Sequence, residues 1–112
     1  MPRAKTQKSS KKKQAKSKKS KSKKLFVKDA KPEYYFLMID GSTIKNLVEL
    51  ADALHIMSDD VFYYHVTHDR NDFSNWVRDV FSEKVLAEEI SRLHNKMEAQ
   101  VAVLRHLLKK LI

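Results

Sequence analysis

The sequence contains no cysteine, and only one glycine and two prolines among its 112 residues. Without cysteine there is no disulfide framework, no thiolate nucleophile and no thiolate ligand for zinc or an iron–sulfur cluster. A single glycine, Gly41, excludes the glycine-rich loops that bind phosphate in P-loop and dinucleotide-binding proteins. The length is typical of one domain and is too short for a large α/β enzyme fold.

Acidic residues are absent from the first 24 residues, which carry twelve of the 23 basic residues of the chain. Residues 25–112 hold the other eleven basic residues and all 14 acidic ones, so their side chains sum to −3 within a total of +9. The first segment also lacks large apolar residues after Met1, so it has little surface to bury and its charges repel one another. We therefore predict a disordered lysine-rich tail at residues 1–24, called the arm below, and a compact domain at residues 25–112, called the body.

The composition of the arm is typical of a segment that neutralises phosphates. Lysines are mobile point charges, and each contact with a nucleic-acid phosphate releases condensed counterions. The arm has no aromatic side chain to stack on bases and only one arginine to contact base edges, so we expect binding that is independent of base sequence. The predicted binding residues are Arg3, Lys5, Lys8, Lys11, Lys12, Lys13, Lys16, Lys18, Lys19, Lys21, Lys23 and Lys24.

Long hydrophobic runs are missing as well. The longest, Tyr34–Ile39, has six residues, whereas a membrane-spanning helix needs roughly 20. An anionic membrane surface is a weaker alternative partner for the arm, because a polybasic segment needs an apolar anchor for stable attachment. A solubilising role without a defined partner is another alternative. We expect a cytoplasmic, nucleoid-associated protein.

The pattern of residues 25–112 predicts a mainly α fold of about five helices preceded by one short strand, or by a β-hairpin. Tyr34–Ile39 is rich in strand-forming residues and is followed by the turn residues Asp40–Gly41. This strand requires a partner, either Leu25–Val27 or a second copy of the chain. Beyond Gly41 there is no glycine or proline, and apolar residues recur every three or four positions, which predicts helices. Their starts are predicted at Ser42 or Thr43, Ser58, Asn71, Ser82 and about Lys96.

Two short motifs carry a family resemblance: VFYYHV at Val61–Val66 and NDFSNWV at Asn71–Val77. With Asp40–Gly41 before them and Leu86–Glu88 after them, they resemble the archaeal and bacterial family called domain of unknown function 5752, over about residues 34–93. The resemblance implies a folded body in an archaeal-like cytoplasmic setting, and it implies no activity. The arm lies outside this match and resembles the tails of lysine-rich, histone-like chromatin proteins.

Two histidines are the only candidates for a metal site. His65 and His68 are three residues apart and would share one face of a helix, as ligands of a transition metal do, with Asp69 and Asp72 nearby in sequence. A complete site would require His94 or His106 to converge on them in the fold. The favoured interpretation is a core or boundary histidine at position 65, bonded to a carboxylate such as Asp72 or to a backbone carbonyl. An acid–base pair of His65 and Asp72 is the enzymatic alternative, and it lacks a nucleophile and an oxyanion hole. We expect no catalytic residues, metal or cofactor.

The apolar stripe of the third predicted helix includes Phe73, Trp76 and Phe81, which we expect to lie in the core. The alternative is a partner-binding groove with Trp76 as its anchor. A basic patch on the body would require the fold to bring together Lys45, Arg70, Arg78 and Arg92.

The last predicted helix has apolar residues in the alternating four-and-three spacing of a coiled-coil seam: Met97, Val101, Leu104, Leu108 and Leu111. Val103 and Leu107 widen this stripe, which favours packing on the body. The alternative is a homodimer through helix 97–111, or through the strand at 34–39.

These observations predict a non-catalytic protein that binds DNA, or RNA, through the arm without regard to base sequence, as nucleoid-associated proteins do. The alternative function is a protein–protein interaction module, in which the acidic helical body docks a partner and the arm only localises it to nucleic acid or ribosomes.

Overall fold

A short β-hairpin precedes five helices in the computed structural model of the chain, which describes residues 27–110. A 3₁₀ turn at Pro32–Tyr34 leads into the hairpin. The mainly α fold predicted from the sequence is confirmed. The elements, in chain order, are β1 (Phe36–Leu37), β2 (Thr43–Ile44), α1 (Leu47–Ile56), α2 (Asp59–His65), α3 (Asp72–Phe81), α4 (Lys84–Ser91) and α5 (Lys96–Lys109).

The hairpin is antiparallel, with Phe36 opposite Ile44 and Leu37 opposite Thr43. Its turn is held by Asp40, whose Oδ1 accepts from the backbone N–H of Ser42 at 2.9 Å and from the Ser42 hydroxyl at 2.6 Å. These hydrogen bonds, led by that of the hydroxyl, lower the pKa of Asp40. Gly41 has φ +93°, a left-handed conformation that only glycine adopts without strain.

The strand prediction was wrong in its extent and in its partner. Only Phe36–Leu37 pairs, because Tyr34 belongs to the 3₁₀ turn and the chain already turns after Met38, whose carbonyl accepts from Gly41 N at 2.9 Å. The pairing strand is β2 rather than Leu25–Val27: Val27 lies in no strand, and Leu25 and Phe26 lie outside the described residues. The β-branched pair Thr43–Ile44 forms this strand.

Four of the five helices begin at a side chain that accepts a backbone hydrogen bond. Ser58 caps α2 and Asn71 caps α3, as predicted, and Asn95 caps α5. The break at Asn95 separates α4 from α5. The predicted start of α1 was wrong: Asn46 is the cap, with Glu49 N donating to its Oδ1 at 2.8 Å, because Ser42 is engaged by Asp40 and Thr43 is in β2.

The junction between α3 and α4 also differs from the prediction. Ser82 does not cap α4; it ends α3 in a left-handed conformation with φ 57°. Its N–H donates to Arg78 O at 3.0 Å. Helix α4 therefore begins one residue later, after Glu83, which makes no side-chain cap bond.

The core lies where α1 packs on α5, α3 packs on α4, and α4 packs on α5. The hairpin covers one end, through Phe36 and Ile44. The largest side chains buried almost completely are Phe62, Phe73, Ile44, Leu50, Leu54, Leu86, Ile90, Val77 and Val103. Within residues 27–110, no helix is long and apolar enough to cross a bilayer.

Candidate functional site

One of the two buried polar residues in the described part of the body is His65, the last residue of α2, which is 4% exposed. Its Nδ1 lies 3.0 Å from Oδ2 of Asp72, the first residue of α3. Its Nε2 lies 3.1 Å from the backbone nitrogen of Ile39, in the hairpin turn. Because a backbone N–H can only donate, Nε2 is the bare nitrogen, and Nδ1 carries the proton that is donated to Asp72. Both ring nitrogens are therefore occupied.

Arg70 extends this pair into a network around the turn between α2 and α3. Its Nε lies 3.2 Å from Asp72 Oδ1, and its Nη2 donates to the backbone carbonyl of Tyr64. The guanidinium carbon also lies 5.6 Å from the centre of the Tyr64 ring. The backbone closes the same turn, with Thr67 N donating to Arg70 O at 2.7 Å. The two sequence motifs thus meet in one network.

Three other polar side chains of the second motif each bond the backbone of another part of the fold. Asn71 Nδ2 donates to Ile90 O at 3.2 Å, in addition to capping α3 through its Oδ1. Ser74 Oγ donates to Ala87 O at 2.6 Å. Trp76 Nε1 donates to Tyr34 O at 2.7 Å, across 42 residues of sequence. These contacts join α3 to α4 and to the segment before the hairpin, so the motif has an architectural role.

The aromatic residues singled out in the sequence lie in or beside the core. Phe73 is stacked on Phe36 with ring centres 5.0 Å apart, and His65 meets the same Phe36 ring edge-on at 5.1 Å. Trp76 is 8% exposed and contacts Phe81 edge-on at 5.0 Å. Phe81 is partly buried. Trp76 therefore offers little surface to an outside partner.

His68 does not share a helix face with His65, because α2 ends at His65 and His68 is exposed in the turn that follows. The spacing argument for a metal site was wrong on this point. Between Val27 and Lys110, no group of three or more histidine, aspartate and glutamate side chains is arranged to hold a metal ion.

The four basic residues considered for a patch on the body are separated or already paired. Arg70 and Arg78 line one polar groove of about 280 Å³ with His68 and His94. Carboxylates neutralise both arginines there, Asp72 for Arg70 and Asp79 for Arg78, at 3.2 Å and 3.1 Å. The other two candidates do not line this groove: Lys45 lies over the Tyr35 ring, and Arg92 pairs with Glu88 at 2.9 Å. The fold forms no single basic patch from these four residues.

One ion-pair cluster was not anticipated from the sequence. Glu83 lies 3.1 Å from Lys110 Nζ and 3.4 Å from His106 Nε2, and so joins the α3–α4 junction to the end of α5. Burial acts to raise the pKa of Glu83, but the hydrogen bond from Lys110 and the charges of His106 and Lys110 outweigh it and lower that pKa. The sequence carried no local signal for this cluster, because 23 and 27 residues separate Glu83 from His106 and Lys110.

The predicted nucleic-acid-binding residues, Arg3 to Lys24, all lie outside the described residues. The structure therefore describes none of these residues, and the arm is characterised by its sequence alone.

A family model for a family of unknown function, DUF5752, matches residues 23–112. The chain belongs to this family. The DUF5752 match covers the hairpin and all five helices, and it extends beyond the 34–93 stretch that carried the resemblance. Residues 1–22, most of the arm, precede it. No curated protein and no solved structure matches the chain.

Proposed function

We propose that this DUF5752 protein binds nucleic acid, DNA in the first place, through the arm, without base specificity and without catalysis. The observation that carries the proposal is the division of charge. The arm holds twelve basic and no acidic residues, whereas residues 25–112 sum to −3. A polyanion would be attracted by the first part and not by the second.

The contacts of the body support the assignment of binding to the arm. The two arginines of the polar groove are each paired with a carboxylate, so neither offers an unshared charge to a phosphate. The arm has closely spaced lysines and no acidic residue that would pair with them in place of a phosphate. Its lack of aromatic residues favours phosphate contacts over base stacking.

The test compares two full-length variants with the same change in charge. One replaces Lys11, Lys12 and Lys13 of the arm with glutamine, and the other replaces Lys31, Lys84 and Lys109, which are exposed on the body. Affinity is measured at low salt for two duplexes of unrelated sequence. We expect the arm variant to lose affinity equally for both duplexes and the body variant to remain close to the unmodified protein. Equal losses in the two variants would contradict the proposal.

The alternative function, docking of a partner protein by the body, loses the anchor suggested for it, because Trp76 is buried and hydrogen-bonded. If neither variant changes the binding of nucleic acid, or if binding is negligible, this alternative becomes the better account.

A further inference from the structure

Helix α5 is apolar on two opposite faces. One face packs into the core through Ala99, Ala102, Val103 and Leu107, which are all buried. The other face points to solvent; its four residues, called the outer stripe, are Met97, Val101, Leu104 and Leu108, with exposed fractions of 69%, 45%, 42% and 59%. A helix that is hydrophobic on both faces is typical of one that lies between two packed layers. Residues 27–110 supply only one of these layers.

The last helix packs on the body, as favoured from the sequence, but it does so through Val103 and Leu107 rather than through the residues in four-and-three spacing. Of the residues in that spacing, Leu111 lies outside the described residues. The exposed residues in this spacing can therefore contact a second helix.

The outer stripe forms a ridge between two grooves. On the α1 side, a groove of about 350 Å³ is lined by Val48, Ala51, Gln100, Leu104 and Leu108. On the α4 side, a groove of about 380 Å³ is lined by Leu93, Met97 and Val101 among others. Helices pack by placing the ridge of one into the groove of the other. This surface has both a ridge and grooves, so two copies of it can interlock.

The charges beside the stripe indicate which occupant fits. Glu98 and Arg105 lie on the same edge, both lining the α4-side groove, and seven residues separate them. Among the described residues, neither takes part in an ion pair. A second α5 packed antiparallel, about a two-fold axis between Val101 and Leu104, brings each Glu98 opposite Arg105 of the second copy. A parallel arrangement would place this edge of the two copies on opposite sides of the seam, where Glu98 and Arg105 could not pair.

We propose that a second copy of the chain occupies the outer stripe and forms an antiparallel, two-fold symmetric dimer through α5. Met97 and Leu108 are eleven residues apart, so the stripe is only about 16 Å long. A contact of this length buries less than the roughly 800 Å² per partner of a standard interface, so the dimer dissociates on dilution. The proposal depends on neither the arm nor nucleic acid.

The first test is sedimentation velocity of the full chain, without nucleic acid, from low to high micromolar concentration. We expect a reversible monomer–dimer equilibrium that Leu104→Glu abolishes. The control is Leu37→Glu in β1, at a residue 67% exposed, which should leave the equilibrium unchanged. Circular dichroism of each variant monitors helix content. A monomer at every concentration would overturn the proposal, and so would a dimer that Leu37→Glu disrupts and Leu104→Glu does not.

The second test exchanges charges at two exposed positions, so it remains decisive if Leu104→Glu unfolds the chain. Glu98→Arg alone and Arg105→Glu alone should each raise the dimer dissociation constant by about tenfold, because each places like charges face to face twice in the symmetric dimer. The double variant should return to within about threefold of the unmodified chain. Failure of the double variant to recover would rule out the antiparallel arrangement.

Discussion

His65 shows how a single polar side chain is accommodated inside this small core. Its ring accepts from one backbone donor, at Ile39, and is itself held by an acceptor on the next helix. The aromatic rings of Phe36 and Phe73 pack around it, with ring centres 5.1 Å and 5.4 Å away. The residue thereby joins the hairpin turn, α2 and α3.

Replacing His65 tests the importance of this network for stability. His65→Ala leaves a cavity and removes the hydrogen bonds to Ile39 and Asp72, so we expect the free energy of unfolding to fall by about 2–4 kcal/mol. The measurement is equilibrium unfolding in urea. His68→Ala, at an exposed position outside the network, is the control and should change the value by less than about 0.5 kcal/mol. Similar effects of the two changes would show that the network contributes little.

At the scale of elements, the asparagines that begin the helices are not equivalent. Asn95 caps α5 with one accepted hydrogen bond from Glu98 N. Asn71 accepts from Ser74 N in the same way and also donates to Ile90 O, so it fixes α3 to the end of α4. The expected loss of stability on removing each side chain therefore depends on all of its hydrogen bonds, and not on the cap bond alone.

We expect Asn95→Ala to lower the free energy of unfolding by about 1 kcal/mol, the usual effect of losing a helix cap. Asn71→Ala should lower it by about 2 kcal/mol, because its hydrogen bond to the carbonyl of Ile90 is lost together with the cap. Urea unfolding of both variants under one condition provides the comparison. A larger loss for Asn95→Ala would contradict the assigned role of Asn71.

The cluster at the end of α5 makes part of the stability dependent on pH. The pKa of Glu83 is lowered in the folded chain, so its carboxylate stabilises the fold above the ordinary pKa of 4.5, and this contribution is lost as the pH falls through the lowered value. Glu83→Gln should therefore reduce stability at neutral pH by about 1 kcal/mol or less and have little effect at acid pH. Thermal unfolding of both proteins at several pH values checks this. A difference in stability between the two proteins that grows as the pH falls would contradict a lowered pKa of Glu83.

The sequence predicted the helices better than the hairpin, for physical reasons. Helical periodicity and capping residues are local, so the starts at Ser58 and Asn71 could be predicted correctly. Strands of two residues have no periodicity to detect, and Ser42 could equally serve a helix cap or the Asp40 turn. On α5 the apolar residues cover two faces, and only the tertiary packing determines that Val103 faces the core and Leu104 faces solvent.

The candidate site was predictable only where its partners are close in sequence. Asp72 was predicted as one possible hydrogen-bond partner of His65, because only seven residues separate the two. The contacts from Trp76 to Tyr34 and from Glu83 to Lys110 span 42 and 27 residues, and no local pattern indicates them.

At the scale of the whole molecule, the two proposals together predict that nucleic acid is bridged. A dimer through α5 would carry two arms, which could bind two duplexes or two sites on one duplex at high effective concentration. Energy transfer between two separately labelled duplexes measures this bridging. We expect the unmodified chain to bring them together at concentrations where it dimerises, and Leu104→Glu to bind DNA without doing so. If Leu104→Glu bridges the duplexes as well as the unmodified chain does, bridging does not depend on the α5 interface.

The most direct test of the central claim is the salt dependence of DNA binding by the full chain, compared with a variant in which Arg3 and all eleven arm lysines are glutamine. If six to ten arm residues contact phosphates, affinity should fall by about 10³–10⁵-fold between about 50 and 200 mM salt. The variant should bind weakly, with little dependence on salt. A shallow slope in the unmodified chain, or an equally steep slope in the variant, would contradict the assignment of nucleic-acid binding to the arm.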